Sequence, residues 1–597
     1  MKKSIYIFLI IFMMTISSCM KDVLDKVPLD IITENTVWSD ASLVNAYLTE
    51  CYAETYVFSN VGTDNSWDNL WNGDAGPAIA IINSLSDEAK STWWGYGYKY
   101  GNLKIAGGVM EWWENSYKVI RMLNEFIEKV PTSPLADDIK KQRTAEARFL
   151  RAYNYFEMVK RYGGVPLITV AQSPDLPEDE LYLPRNKEQE VYDFVLAECE
   201  AISKDLPSTG GDISRANKYA ALALKCRAAL YAGSIAQYGT VQLNGVIGVD
   251  ASKATGYYQQ AYDAAKLIMS GPYSLFNKYP TDKVKNFKFL FLEKNNSEGI
   301  FGKKHDSTNG MGNGGNGWAW DFFNCPYPNG WGGGTETGPY LEMAEEFEHI
   351  DGSSGKLDRA AIQQGLWTTD QLWANKDPRF FASCYSQNTQ WLGKPLDFHK
   401  GIILPDGTIQ TDGSYSGVLA NGNQNINGTG FGCLKYVDES HGNLIGLNGD
   451  WATSFTDYMV FRYGEVLLNY AEAALALGKT GDALGAVNQI RSRAGIAALV
   501  SISQDKYRHE RKVELAFEGH RYWDLRRWRT AVTDLSKPSA GLRYILDYTT
   551  GKYKLMVVAN IDGTVAPPAF YQQNYYLPIT IARTGNNPKL VENPGYQ

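Results

Sequence analysis

Two stretches of this 597-residue chain crowd aromatic rings together with amide and acidic side chains. In the first, Trp93, Trp94, Tyr96 and Tyr98 are interleaved with Gly95 and Gly97, and Trp67, Asp68 and Trp71 stand upstream. In the second, Asn313 and Asn316 lead into Trp318, Trp320 and Asp321, with Trp331 beyond. Glycine and asparagine this dense argue for loops. A flat ring on a loop offers an apolar stacking face, and a neighbouring Asn, Asp, Gln or Arg offers hydrogen bonds. That pairing suits a ligand with a face of C–H groups and a rim of hydroxyls, which is the surface of a sugar ring. The candidate ligand contacts are Trp67, Trp93, Trp94, Tyr96, Tyr98, Asn316, Trp318, Trp320, Asp321 and Trp331. The competing reading for any one of these rings is packing within its own loop.

Other chemistries find little support. Gly310, Gly312 and Gly315 fit a G-x-G-x-x-G spacing, but no strand precedes them and no helix with a suitably placed acid follows, so no dinucleotide is expected. Asn423, Asn425, Asn427 and Gly428 imitate the start of a calcium loop, yet Leu434 stands where a bidentate Glu is needed. His509-Glu510 has no second His four positions after the first, which removes a zinc protease site. No nucleophile elbow of the G-x-S-x-G type is present. The expectation is a binding protein, not an enzyme, with no cofactor and no metal. The net charge of −8 and the lack of a basic stripe argue against nucleic acid.

The N-terminus places the chain. Lys2 and Lys3 precede an apolar run over residues 5–16, and Ile16-Ser17-Ser18-Cys19 forms a small-residue cleavage site. The run is shorter than the roughly 20 residues that span a bilayer. Cleavage before a cysteine resembles the bacterial lipoprotein pattern, in which the new N-terminal cysteine, here Cys19, carries lipid. Residues 1–18 are then a signal peptide, residues 19–597 the mature domain, and the membrane contact is made through lipid. The six other cysteines form no C-x-x-C pair, and no bridge among them can be assigned from spacing.

Between the loops lies helical periodicity. Ser39 or Asp40 can cap a helix through Tyr47, Leu48 and Tyr52. Apolar residues then recur every three or four positions in spans near 111–130, 137–162, 187–205, 215–238 and 256–269, and again over 458–477 and 482–493. Alanines in one helix facing Tyr and Leu in the next are the chemistry of tetratricopeptide-like hairpins. The helical repeats therefore occupy about 111–270 and 458–530. A loop-rich insertion, the expected ligand-binding region, covers about 272–457, and an irregular segment 530–597 ends the chain.

Several segments together resemble the SusD/RagB family of outer-membrane nutrient-binding lipoproteins. They are the run from Glu146 to Phe156 (Glu-Ala-Arg-Phe-Leu-Arg-Ala-Tyr-Asn-Tyr-Phe) with Arg161-Tyr-Gly-Gly-Val-Pro-Leu; the run that begins Arg462-Tyr-Gly-Glu-Val-Leu-Leu-Asn-Tyr-Ala-Glu-Ala; Ile490-Arg-Ser-Arg-Ala-Gly; and the run from Glu510 to Trp528. Asp377-Pro-Arg-Phe, Tyr576-Leu-Pro-Ile and Asn593-Pro-Gly-Tyr add smaller landmarks. The resemblance implies a mainly α fold of four tetratricopeptide-like helical hairpin units with a large irregular loop-rich insertion. It also implies a surface-exposed lipoprotein at the cell outer membrane that captures a glycan ligand and delivers it to a SusC-like TonB-dependent transporter. A peptide-binding or structural lid of such a transporter is the alternative. In the family, ligand aromatics come from an early loop before the first repeat and from the insertion. Glu510, Glu514 and Glu518, with Arg511 and Arg521, are expected to be structural, paired along one helical segment.

Overall fold

The computed structural model describes residues 34–55, 82–90, 99, 110–208, 212–305, 320–326, 337–410, 428–441, 454–562 and 568–596. After a short helix, Glu34–Ser39, comes α1 (Ala41–Glu54), whose N-terminus is capped by Asp40: its carboxylate accepts the amides of Ser42 at 2.7 Å and Leu43 at 3.0 Å. Five long helices follow, α2 (Trp113–Lys129), α3 (Asp137–Tyr162), α4 (Glu188–Ile202), α5 (Lys218–Tyr238) and α6 (Ala254–Met269). The insertion contributes α7 (Lys283–Leu290) and α8 (Pro378–Ser383), and the array resumes with α9 (Tyr463–Ala476) and α10 (Thr480–Ala494). Two further helices, α11 (Gln504–Glu514) and α12 (Arg521–Arg527), follow.

Each long helix packs on its successor, α2 on α3, α3 on α4, α4 on α5, α5 on α6; α6 then meets α9 across the whole insertion, and α9 meets α10. Paired as α1/α2, α3/α4, α5/α6 and α9/α10, these helices make four hairpins, the mainly α architecture expected. The α6–α9 seam is held by the stacked rings of Tyr262 and Tyr470, 4.6 Å apart. The middle of the array is apolar nearly all round: α5 buries Ala220, Ala221, Ala223, Ala228, Ala229 and Ala232, and such small side chains let neighbours approach closely.

The helix expected over 458–477 begins five residues later than its periodicity indicated. Residues Tyr458–Arg462 are a strand instead, β5, paired antiparallel with β1 (Gly299–Lys303). Every residue of both strands is buried, so neither face shows the alternation that marks a half-exposed strand. The insertion also holds β2 (Leu366–Trp367), β3 (Ile402–Ile403) and β4 (Ile409–Gln410). These join a C-terminal hairpin, β6 (Gly541–Asp547) and β7 (Tyr553–Val558), in one sheet of order β2-β7-β6-β3-β4. Insertion and C-terminal segment are thus hydrogen-bonded to each other.

A buried ion network welds the insertion to the array. Glu510 accepts from Arg379 of α8 at 2.6 Å and from Arg491 of α10 at 2.8 Å. Glu514 takes Arg379 at 3.0 Å, Arg462 at 2.9 Å and also Arg493. Glu518 takes Arg462 at 2.6 Å and Lys435 at 2.8 Å. The structural role expected of the three glutamates holds, but their partners do not lie along their own segment. Arg511 pairs with Asp524 at 2.6 Å and Arg521 with Asp87 at 2.8 Å. Buried carboxylates need several donors to offset their desolvation, and one helix face cannot supply them.

Candidate functional site

Of the residues expected to contact ligand, Trp67, Trp93, Trp94, Tyr96, Tyr98, Asn316, Trp318 and Trp331 lie outside the described residues, as does Cys19. Trp320 and Asp321 are described, and they are not presented to a ligand. Trp320 is 1% exposed and Asp321 fully buried. The Trp320 indole N–H donates to the Lys435 carbonyl at 2.7 Å, and its ring meets Tyr436 edge-on. The Asp321 amide donates to the Ser454 hydroxyl at 2.8 Å, while its carboxylate accepts the Asp438 amide at 3.2 Å. Both open the short helical turn Trp320–Asn324, which directs them inward. The expectation for these two is corrected: they anchor the end of the aromatic stretch.

What the described residues do show is where the two stretches are rooted. Ala89 and Lys90 pair antiparallel with Pro339 and Gly338, and the Tyr340 amide donates to the Glu88 carbonyl at 3.0 Å. Trp93 follows Lys90 by three positions, and Trp331 precedes Gly338 by seven. The residue after Tyr98, Lys99, sits at the same place. Its ammonium hydrogen-bonds the Tyr340 hydroxyl and lies 3.4 Å from the Asp562 carboxylate, which itself accepts from that hydroxyl at 2.6 Å. The Lys99 carbonyl accepts the Ala569 amide at 2.9 Å. Lys90 reaches over the same cluster to the Ile561 carbonyl at 2.9 Å. Burial pulls the Lys99 ammonium below the ordinary lysine range, and Asp562 opposes that pull.

A further chain end arrives here. The Leu542 amide of β6 donates to the Thr429 carbonyl at 2.8 Å, directly after residues 411–427. Gly430 has φ +85°, and a Cβ there would stand 2.1 Å from the Leu542 carbonyl oxygen, so only glycine allows this approach. The stretches at 91–98, 327–336, 411–427 and 563–567 therefore all enter or leave one platform made by residues 88–90, 99, 338–340, 428–430, 541–542 and 561–562. Sequence reasoning missed this platform. Lys99, Tyr340 and Asp562 are hundreds of positions apart, and no local pattern links them. The one available signal was that Lys99 directly follows an aromatic run.

The Tyr340 hydroxyl lies 2.6 and 2.8 Å from the two Asp562 oxygens. Among the described residues no group of three or more His, Cys, Asp and Glu could hold a metal ion. Two solvent-open cavities lie elsewhere. One of about 230 Å³ is bordered by Tyr238, Arg529 and Tyr576. Another of about 340 Å³ is bordered by Trp113, Tyr117 and Arg583. No candidate residue lines either.

Comparison with known proteins gives this architecture its lineage. The family model described as SusD family matches residues 297–596, and one described as starch-binding associating with outer membrane matches residues 30–230. The chain is 26% identical over 467 residues to SusD-like protein P38 of Formosa agariphila, covering 72% of this chain and 74% of that one. It is 25% identical over 495 residues to the starch-binding protein SusD of Bacteroides thetaiotaomicron, covering 80% and 77%. Among solved structures, a SusD-like protein from Bacteroides fragilis superposes with a TM-score of 0.72 at 25% identity, over 96% of this chain and 100% of that one. The surface glycan-binding protein A of Bacteroides thetaiotaomicron, solved with laminarihexaose, superposes with a TM-score of 0.61 at 17% identity, over 93% and 99%. Four helical hairpins, an insertion stitched back onto them and family models matching residues 30–230 and 297–596 lead to one conclusion: this chain belongs to the SusD family.

Proposed function

We propose that the protein is a lipid-anchored glycan-binding protein of the outer membrane's external face, which captures oligo- or polysaccharide and hands it to a SusC-like TonB-dependent transporter without cleaving it. The observation that carries this reading is the platform: it gathers the ends of the segments bearing Trp93, Trp94, Tyr96 and Tyr98, and Trp331, at one place on a rigid helical scaffold. Trp67, Asn316 and Trp318 complete the proposed contacts; Trp320 and Asp321 are buried. Relatives named for starch binding and for a laminarihexaose complex favour a glycan over a peptide. In this mechanism the rings stack on sugar faces and the amide groups take hydroxyls. By analogy with base–aromatic stacking each ring supplies about 1–3 kcal/mol, weak enough for release to a transporter.

The test is calorimetric titration of the mature protein with starch, laminarin and host or plant glycans, beside a peptide pool. Binding to a glycan that falls in Trp93→Ala and Trp94→Ala supports the reading. Tight binding of peptides with no glycan bound would replace it with the peptide-binding alternative. Release of reducing ends on prolonged incubation would end the non-catalytic part.

A further inference from the structure

We infer that Cys384 and Cys433 are joined by a disulfide in the exported protein, an inference that rests on the extracellular location proposed above. Residues 384–385 and 432–433 form a short antiparallel ladder in which Cys433 stands directly opposite Cys384, and Gly432 opposite Tyr385. At the next position the Leu434 amide donates to the Ser383 carbonyl at 2.8 Å. Hydrogen-bonded and non-hydrogen-bonded positions alternate along such a pair, so the Cys433/Cys384 position is a non-hydrogen-bonded one, where the Cα atoms stand about 4.5 Å apart and the side chains are closest. A disulfide accepts Cα separations of about 4.4–6.8 Å, so no backbone movement is needed. Gly432 makes room for the Tyr385 ring facing it: a Cβ there would lie 1.9 Å from that ring.

The remaining thiols are placed differently. Cys51, Cys199 and Cys226 lie on α1, α4 and α5. Cys325 is near the ladder, since Tyr385 donates its hydroxyl to the Asn324 carbonyl at 3.1 Å, but it stands across from neither strand. All six described cysteines are buried free thiols in this structure. Burial means the bond forms while the chain folds. Each thiol gives up one hydrogen and one S–S bond is made. The two electrons and two protons pass to an oxidised thiol–disulfide exchange protein of the cell envelope, whose own disulfide opens to two thiols. The bridge would tie the two ends of the segment that contains β3, β4 and residues 411–427, and so brace one entry to the loop platform.

The experiment isolates the mature lipoprotein from the bacterial envelope, denatures it with N-ethylmaleimide and no reductant, and maps peptides by mass spectrometry. The expected result is one peptide pair joined through Cys384 and Cys433, lost on adding dithiothreitol, with Cys51, Cys199, Cys226 and Cys325 alkylated. Alkylation of both Cys384 and Cys433, or a bridge from either to Cys325, overturns the inference. A second arm refolds the reduced full chain in glutathione disulfide. If the bridge forms there but not in the envelope, the inference is overturned through the location it rests on; if it forms in neither, the geometry itself is refuted. Dithiothreitol should lower the melting temperature of the wild type and leave Cys384→Ala/Cys433→Ala unchanged; equal shifts in both count against the bridge.

Discussion

Glu514 accepts from arginines of three separate elements, Arg379 on α8, Arg462 at the end of β5 and Arg493 on α10, and all four side chains are buried. Removing the carboxylate leaves three buried cations short of a partner, so Glu514→Gln should cost roughly 3–5 kcal/mol of stability, read as a lower denaturant midpoint. The pH behaviour of single groups follows from their surroundings. Burial pushes the Glu472 carboxyl up, but the charges of Arg527 and Arg511 outweigh it and hold it at about 2. Its folded pKa lies below the unfolded value near 4.3, so its contribution is present above that value and lost as pH falls through about 2. Glu88 is the opposite case. Burial, reinforced by the charge of Asp87, raises it to about 8. Between the unfolded pKa and about 8 the folded state holds the extra proton, so this group destabilises the fold increasingly as pH rises. Glu88→Gln should therefore gain on the wild type from about pH 5 to pH 8, by up to roughly 1.4 kcal/mol per pH unit; parallel stability curves would refute this. The two kinds of tryptophan should also separate. Trp320→Ala should destabilise by about 3–5 kcal/mol, whereas Trp93→Ala should leave melting unchanged and weaken glycan binding by about 1–3 kcal/mol, roughly 5- to 150-fold in Kd.

Single elements differ in how plainly the sequence announced them. The span of α3 was legible to the residue, because Ala145, Phe149, Ala152, Tyr153 and Phe156 repeat on one face and Gly163 ends the helix at φ +76°. The cap of α1 was legible as Ser39 or Asp40, and Asp40 fills the position. Strand β5 was not, since five buried residues running straight into α9 extend the apolar pattern of the helix without a break. The insertion read as irregular, yet it holds α7 and the strands β2 and β3, whose partners β7 and β6 lie in the C-terminal segment, with β4 added on β3. A two-residue strand has no period of its own and exists only through its neighbours. The ion network was half visible: the spacing of Glu510, Glu514 and Glu518 pointed to pairing, but Arg379 is 131 positions from Glu510. The candidate aromatics were legible as composition, and their common root was not, because it is built by contacts between remote segments. At this scale Gly430→Ala should lower stability by about 1 kcal/mol or more, through the clash with the β6 carbonyl.

The whole molecule should melt as one body. The carboxylates of α11 hold the insertion through Arg379 and the array through Arg491 and Arg493, and the five-stranded sheet mixes insertion with C-terminus. Calorimetry of the mature chain should show one transition; two separated peaks would mean that insertion and array unfold independently. The ladder between Ala89–Lys90 and Gly338–Pro339 joins its strands through main-chain groups. Bonds of that kind are indifferent to which side chains project beyond them. The side chains of residues 91–98 and 327–336 can therefore change in sequence without altering the hydrogen bonds of this ladder. Transplanting residues 91–98 and 327–336 from a relative with another sugar preference should carry that preference across while the melting temperature stays put.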